Sequence, residues 1–263
     1  MDKNMTRLLP KHISIPVTVL VLFLLSTSNA FTEELTLAVA NSTCNAMQKV
    51  GKLYQQNKGD ISLKYICKSS GRLAKGLHGK AIEADIYVSA NRKWMDYIIG
   101  VELASPERVI SPWGNDLVVA TPLNSNITAF NWNDLASEKV KAIYIGDPGT
   151  APFGRYAKQA LTSTNLWEQV KHKIHTKKHI TLLAENLTMA SPNSVGILFF
   201  SNVNDSLRVI HTIDASWHEP IFYYLAPINK TETNEHVASM LDFIKSDAAR
   251  TIFLEEGFKL TNP

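Results

Sequence analysis

After about residue 30 the chain alternates short β-rich runs with stretches whose apolar side chains recur every three or four residues. Leu35-Thr-Leu-Ala-Val-Ala40 reads as a strand, and Ala46, Met47, Val50, Leu53 and Tyr54 then fall at helical spacing. The pair recurs twice: a strand over 61–67 with a helix from about 71, and a strand over 84–90 with a helix over 92–99. Three strand–helix pairs in succession predict a parallel sheet whose ligand site lies at the strands' carboxyl ends. A second series starts near Leu117-Val-Val-Ala120 and continues with a strand over 140–145, helices near 152–162 and 180–190, and the buried-looking run Val195-Gly-Ile-Leu-Phe-Phe200. After Ile221-Phe-Tyr-Tyr-Leu225 the pattern predicts helices over about 232–247 and 248–256. No Gly/Ser or Pro-rich linker and no internal repeat separates the halves. The pattern therefore predicts an α/β protein of two lobes tied by crossing strands.

The first residues bear on the compartment. Lys3, Arg7 and Lys11 precede the apolar run Ile15-Pro-Val-Thr-Val-Leu-Val-Leu-Phe-Leu-Leu25, which is too short to span a bilayer, and Ser28-Asn-Ala30 supplies small residues for a peptidase. Residues 1–30 read as a cleaved secretory signal, without a fixed cleavage position. Three of the 27 Lys and Arg and one of the 24 Asp and Glu lie in that leader, so the mature chain carries a net charge near +1. Such a balance argues against a nucleic-acid binder working through a large positive field. Only Cys44 and Cys67 remain for an oxidising space, without metal-type spacing; a disulfide and two buried free thiols both stay open.

Four turns share one physical theme. Asn41-Ser42-Thr43 and Ser69-Ser70-Gly71 follow the first two strands, Asp147-Pro-Gly-Thr-Ala-Pro-Phe-Gly154 follows the strand over 140–145, and His179-Ile180-Thr181 opens a helix. Singly, each is an ordinary helix start, where a serine hydroxyl accepts from an orphan amide. Together, the same orphan amides, helix dipoles and hydroxyls make a site for an anion.

Several blocks, in order, carry a family resemblance: Leu-Thr-Leu-Ala-Val-Ala-Asn-Ser-Thr from residue 35, Lys-Ser-Ser-Gly-Arg-Leu-Ala from 68, Ala-Asp-Ile-Tyr-Val-Ser-Ala-Asn-Arg-Lys-Trp-Met-Asp-Tyr from 84, Gly-Asn-Asp-Leu-Val-Val-Ala-Thr-Pro from 114, and Gly-Asp-Pro-Gly-Thr-Ala-Pro-Phe-Gly-Arg-Tyr-Ala-Lys from 146. Through them the chain resembles the periplasmic molybdate-binding proteins of ABC transporters. The resemblance implies a type II periplasmic binding fold, with one lobe from 31–115 plus 226–263 and another from 116–225, each a mainly parallel sheet flanked by helices. It implies a monomer in the periplasm that captures molybdate or tungstate and hands it to a membrane permease driven by an ATPase, with no cofactor and no enzymatic activity. It also implies an oxyanion pocket: hydroxyl and amide at Ser42, hydroxyl and amide at Ser70, the amides of Phe153 and Ile180, and a fifth position at Phe199. There the family carries a tyrosine hydroxyl, which Phe199 lacks. Asn41, Ser69, Lys68 and Arg155 are candidate compensating donors. A sibling binding sulfate, chromate or phosphate, and a secreted recognition module that holds no small anion, are the competing expectations.

The remaining signals point elsewhere. His172, His175 and His179 lie among Lys171, Lys173, Lys177 and Lys178 without a carboxylate, which predicts a solvated basic surface rather than a metal centre. Phe222-Tyr-Tyr224 reads as the core of a crossing strand rather than a stacking platform. Asn126-Ile-Thr and Asn186-Leu-Thr would matter as glycosylation acceptors only in another kind of host. No nucleophile elbow, P-loop, dinucleotide fingerprint or zinc-protease helix is present in the sequence.

Overall fold

The computed structural model describes residues 33–58, 61–231 and 233–261; the expected signal segment lies outside the described residues. Three strand–helix pairs open the described chain: β1 (Glu33–Ala40) and α1 (Cys44–Lys58), β2 (Ile61–Lys68) and α2 (Ser70–His78), and β3 (Ile86–Ser89) and α3 (Arg92–Gly100). A short β4 (Trp113–Gly114) leads to β5 (Leu117–Pro122), β6 (Ala142–Gly146), α4 (Pro152–Ser163), α5 (Trp167–Val170), β7 (Ile174–Lys177), α6 (Ile180–Thr188), β8 (Ser194–Phe199) and β9 (Leu207–Thr212). The chain then returns through β10 (Tyr224–Pro227), α7 (Glu235–Ile244), α8 (Asp247–Glu255) and β11 (Lys259–Leu260).

Two sheets result, ordered β10-β3-β1-β2 and β7-β6-β8-β5-β9, with β4 and β11 forming a small ribbon. In the first, β1 pairs in parallel with both β2 and β3, so the turns after β1 and β2 emerge side by side. Period-two alternation explains the layers. Leu35, Leu37 and Val39 of β1 join Met47, Val50 and Tyr54 of α1 and Val237, Met240 and Phe253 of α7 and α8 in one apolar cluster. Ala38, on the opposite face, joins Leu73, Trp94, Met95 and Ile98 of α2 and α3.

The second sheet is mixed: β6 runs parallel to β7 and β8, whereas β5 runs antiparallel to β8 and β9. Its helices α4 and α6 contribute Tyr156, Ala157, Leu161, Leu183 and Leu187 to the larger cluster. Two crossing segments join the sheets and bind each other: Asn115 N–H donates to the Ile221 carbonyl at 3.2 Å, and Tyr223 N–H to the Trp113 carbonyl at 3.0 Å. The C-terminal helices are shorter than their periodicity predicts. Asn234 caps α7 through the amides of His236 and Val237, and Ser246 stops the chain between the helices by capping α8 through Ala249 N–H.

The basic run is a correction. Ile174–Lys177 is strand β7, and Lys173, expected in solvent, is buried, its Nζ donating to the carbonyls of Leu135 at 3.2 Å and Ser137 at 2.6 Å. His172 and His175 are exposed as expected. Among the described residues no His, Cys, Asp and Glu cluster suits a metal ion, and no helix is long and apolar enough to cross a membrane.

Candidate functional site

Between the carboxyl end of β1 and β2 on one side and the starts of α4 and α6 on the other lies a cavity of about 10 Å³. Ala40, Asn41, Ser42, Ser69, Ser70, Pro152, Phe153, Lys178, His179 and Ile180 line it, and none of them is a carboxylate. It is smaller than the roughly 300–1,000 Å³ typical of organic-ligand sites. Four of the five principal sequence-predicted positions, Ser42, Ser70, Phe153 and Ile180, meet there from both sheets.

Each arrives on a helix start or a turn, for local reasons. Ser42 sits in a single 3-10 turn, Asn41–Thr43, where β1 ends. Ser70, Phe153 and Ile180 occupy the first turns of α2, α4 and α6, whose amides lack a carbonyl four residues back. Side chains cap α3, α7 and α8, through Asn91, Asn234 and Ser246. None caps α2, α4 or α6, and none of these has an acidic residue in its first turn. The three helices that converge on the cavity thus bring their positive ends to it without a capping side chain or an acidic neighbour in the first turn. Gly154 lets α4 approach, since a Cβ there would lie 2.2 Å from the Gly146 carbonyl oxygen at the end of β6.

The hydroxyls have a definite polarity. Ser70 Oγ is buried and accepts from Ala90 N–H at 3.0 Å; Ser42 Oγ accepts from the Tyr223 hydroxyl at 2.9 Å. Each hydroxyl has one lone pair engaged by the protein and keeps its own proton to give. Ser69 is the third hydroxyl at the cavity, its Oγ buried without a hydrogen-bond partner among the described residues. It is not the helix cap that its position suggests.

Asn41, from the first sheet, hydrogen-bonds Nδ1 of His179, at the start of α6. The pair bridges the two sides of the cavity, as does Gly71 N–H donating to the Thr150 carbonyl at 3.3 Å. His179 thus departs from the solvated surface expected of it, because the turn after β7 carries it into the cleft. Burial, then the charges of Arg72, Lys178 and Lys68, holds its imidazole below the usual histidine range.

Two other expectations need correction. Phe199 does not line the cavity: it is fully buried at the end of β8, its ring edge-on to Phe153 at 6.2 Å and to Tyr223 at 6.1 Å. Arg155 is absent from the lining as well. Its guanidinium donates to both carboxylate oxygens of Glu219, at 3.0 and 3.1 Å, beside a separate surface hollow. Lys68 is exposed at the end of β2 and does not line the cavity.

Sequence reasoning missed Tyr223, the fully buried donor behind Ser42. The signal was present in the alternation Ile221, Tyr223, Leu225 inward against Phe222 and Tyr224 outward, because an inward tyrosine needs a partner for its hydroxyl.

Two sheet lobes joined by paired crossing segments, with uncapped helix starts facing a common cleft, define a two-lobed binding protein of the type II periplasmic architecture. The chain belongs to the bacterial extracellular solute-binding proteins, whose family profile matches residues 35–259. It is 32% identical over 238 residues to the molybdate-binding protein ModA of Haemophilus influenzae, covering 88% of this chain and 92% of that protein. It is 29% identical over 245 residues to ModA of Escherichia coli, with the same coverage of each. Among solved structures, the substrate-binding domain of a putative molybdenum ABC transporter from Clostridium difficile superposes with a TM-score of 0.69 at 26% identity, covering 87% of this chain and 99% of that one.

Proposed function

We propose that this protein is the periplasmic receptor of an ABC importer, working as a monomer without enzymatic activity. It captures molybdate or tungstate and delivers it to a membrane permease coupled to an ATPase. The observation that carries this reading is a cavity lined by hydrogen-bond donors from both sheets. Uncapped amides of α2, α4 and α6 and the hydroxyls of Ser42, Ser69 and Ser70 converge there, with no carboxylate among them. A buried tetrahedral dianion must replace its hydration by such donors, and neutral dipoles from both lobes supply them. A fully deprotonated oxyanion can accept from these groups, whereas one that keeps a proton also needs an acceptor, and no carboxylate lines the cavity to supply one. The names of the relatives favour molybdate among the fully deprotonated oxyanions.

In this reading Ser42, Ser70, Phe153 and Ile180 are the principal ligands, Ser69 adds a donor, and Asn41 with His179 latches the lobes over the guest. Closure takes place about the crossing segments near residues 113–117 and 221–224. A thermal-shift and calorimetric panel of molybdate, tungstate, sulfate, chromate and phosphate tests it. Stabilisation by molybdate and tungstate above the others is the expected result. A preference for another anion would reassign the ligand, and no response to any would reject an oxyanion receptor.

A further inference from the structure

The Ser42 hydroxyl ends a chain of hydrogen bonds that starts in the crossing segments. Asn115, between β4 and β5, gives its Nδ2 to Ser201 Oγ at 2.7 Å and to the Tyr223 hydroxyl at 3.4 Å, while its Oδ1 accepts from Ser201 N–H at 3.4 Å. That last contact fixes which end of the Asn115 amide faces Tyr223. A primary amide nitrogen only donates, so the Tyr223 oxygen must accept from it and the phenolic proton must go elsewhere. It goes to Ser42 Oγ, 2.9 Å away. The direction of both bonds in the series is then set, Asn115 to Tyr223 and Tyr223 to Ser42, which leaves the proton of Ser42, a cavity-lining residue, for another acceptor.

Tyr223 does not line the cavity and is fully buried, packed against Trp113, Phe199 and Phe258. Its hydroxyl therefore cannot substitute for the hydroxyl absent at Phe199 by touching the guest itself. What it can do is occupy a lone pair of Ser42. Without that bond the Ser42 hydroxyl is free to turn its proton toward a protein acceptor and present oxygen to an anion, which repels it. With it, the proton is left pointing at the guest, and hydrogen bonds in series polarise one another.

Resting on the oxyanion reading of the cavity, we propose that Tyr223, oriented by Asn115, is a positioning residue for anion binding: it sets Ser42 as a donor and ties that donor to the segments about which the lobes close. Titration calorimetry with molybdate and tungstate on the wild-type protein, Tyr223→Phe, Ser42→Ala and the double variant tests this. Tyr223→Phe is expected to weaken binding about fivefold or more, with little change in the unliganded melting temperature. In the Ser42→Ala background the same substitution is expected to change affinity by less than about twofold, because the group through which it acts is gone. Asn115→Ala, which keeps the tyrosine ring but withdraws what orients its proton, should show the same dependence on Ser42 and serves if Tyr223→Phe does not fold. Equal losses in both backgrounds, or no loss in either, would overturn the relay. A wild-type protein that takes up neither anion overturns the proposed function itself, and the relay with it.

Discussion

Breaking the Cys44–Cys67 disulfide gives the sharpest stability test, because the structure resolves a pairing that the sequence leaves open. The bond joins residues 23 apart, linking the start of α1 to β2. In the chain-entropy account, a closed loop of that length removes about 3.4 kcal/mol of freedom from the unfolded chain at 25 °C. For a protein of this size about 1 kcal/mol shifts the melting temperature by roughly 2–4 °C, so reduction is expected to lower it by about 7–14 °C. Both cysteines are only partly buried, so reduction should not require prior unfolding. The bond also ties the two serine-bearing turns together, yet its effect on affinity should be small. β1 and β2 stay paired in parallel register through Val39–Cys67 and Ala40–Lys68, which already holds Ser42 beside Ser69 and Ser70. Calorimetric melting with and without reductant, alongside Cys44→Ala/Cys67→Ala, measures the first effect, and anion titration of the reduced protein the second. A shift below about 3 °C would refute the crosslink as a source of stability. A loss of affinity above about threefold would show that the sheet register alone does not hold the turns.

Ser70→Ala removes one hydroxyl donor to a charged guest, worth roughly 1.5–3 kcal/mol, and should weaken molybdate or tungstate binding at least about tenfold by calorimetry. Arg155→Ala should leave anion affinity within about twofold, since the guanidinium is engaged with Glu219 outside the cavity. His179, held low in the fold mainly by burial, gives stability that is complete above its unfolded value near 6.5 and is lost as pH falls through the folded value. The unliganded melting temperature should therefore drop more between pH 7.5 and 5.5 in the wild-type protein than in His179→Gln. His211, lowered by burial too, is common to both proteins and cancels in that difference.

The first sheet and its helices were legible because each element obeys one period: β1 alternates, α1 and α3 repeat at helical spacing, and serine turns separate them. The second sheet was legible in part. β6 and β8 are apolar runs, whereas β7 lies inside Lys-His-Lys-Ile-His-Thr-Lys-Lys-His, where charge density masks a strand whose polar side chains face outward. β9 (Leu207–Thr212) carries a weak alternation in Leu-Arg-Val-Ile-His-Thr and gains its place only by pairing with β5. At the candidate site, the meeting of Ser42, Ser70, Phe153 and Ile180 at one cavity was legible from their turns, because each stands where a strand end or a helix start exposes backbone amides. Tyr223 could not be tied to Ser42 in that way. It lies 181 residues from Ser42, and that contact exists only because the crossing segments bring the chain back under β1.

The division of labour between charge and dipole rests on the same placement. The chain past its leader is nearly neutral, yet Lys68, Arg72 and Lys178 lie close enough to His179 to depress its titration. Lys178 reaches the cavity wall while staying exposed, and Lys68 is exposed at the strand end. A cation sealed inside would attract any anion and would itself have to be desolvated. In the proposed reading, the same charges left outside the cavity would raise the local concentration of anions, and the fixed dipoles inside would do the choosing. Added salt screens the exposed charges and leaves the buried dipoles almost untouched. Capture measured by stopped flow should therefore slow steeply with ionic strength while release changes little. A release rate that rises in step with the fall in capture would mean that the cations hold the guest themselves.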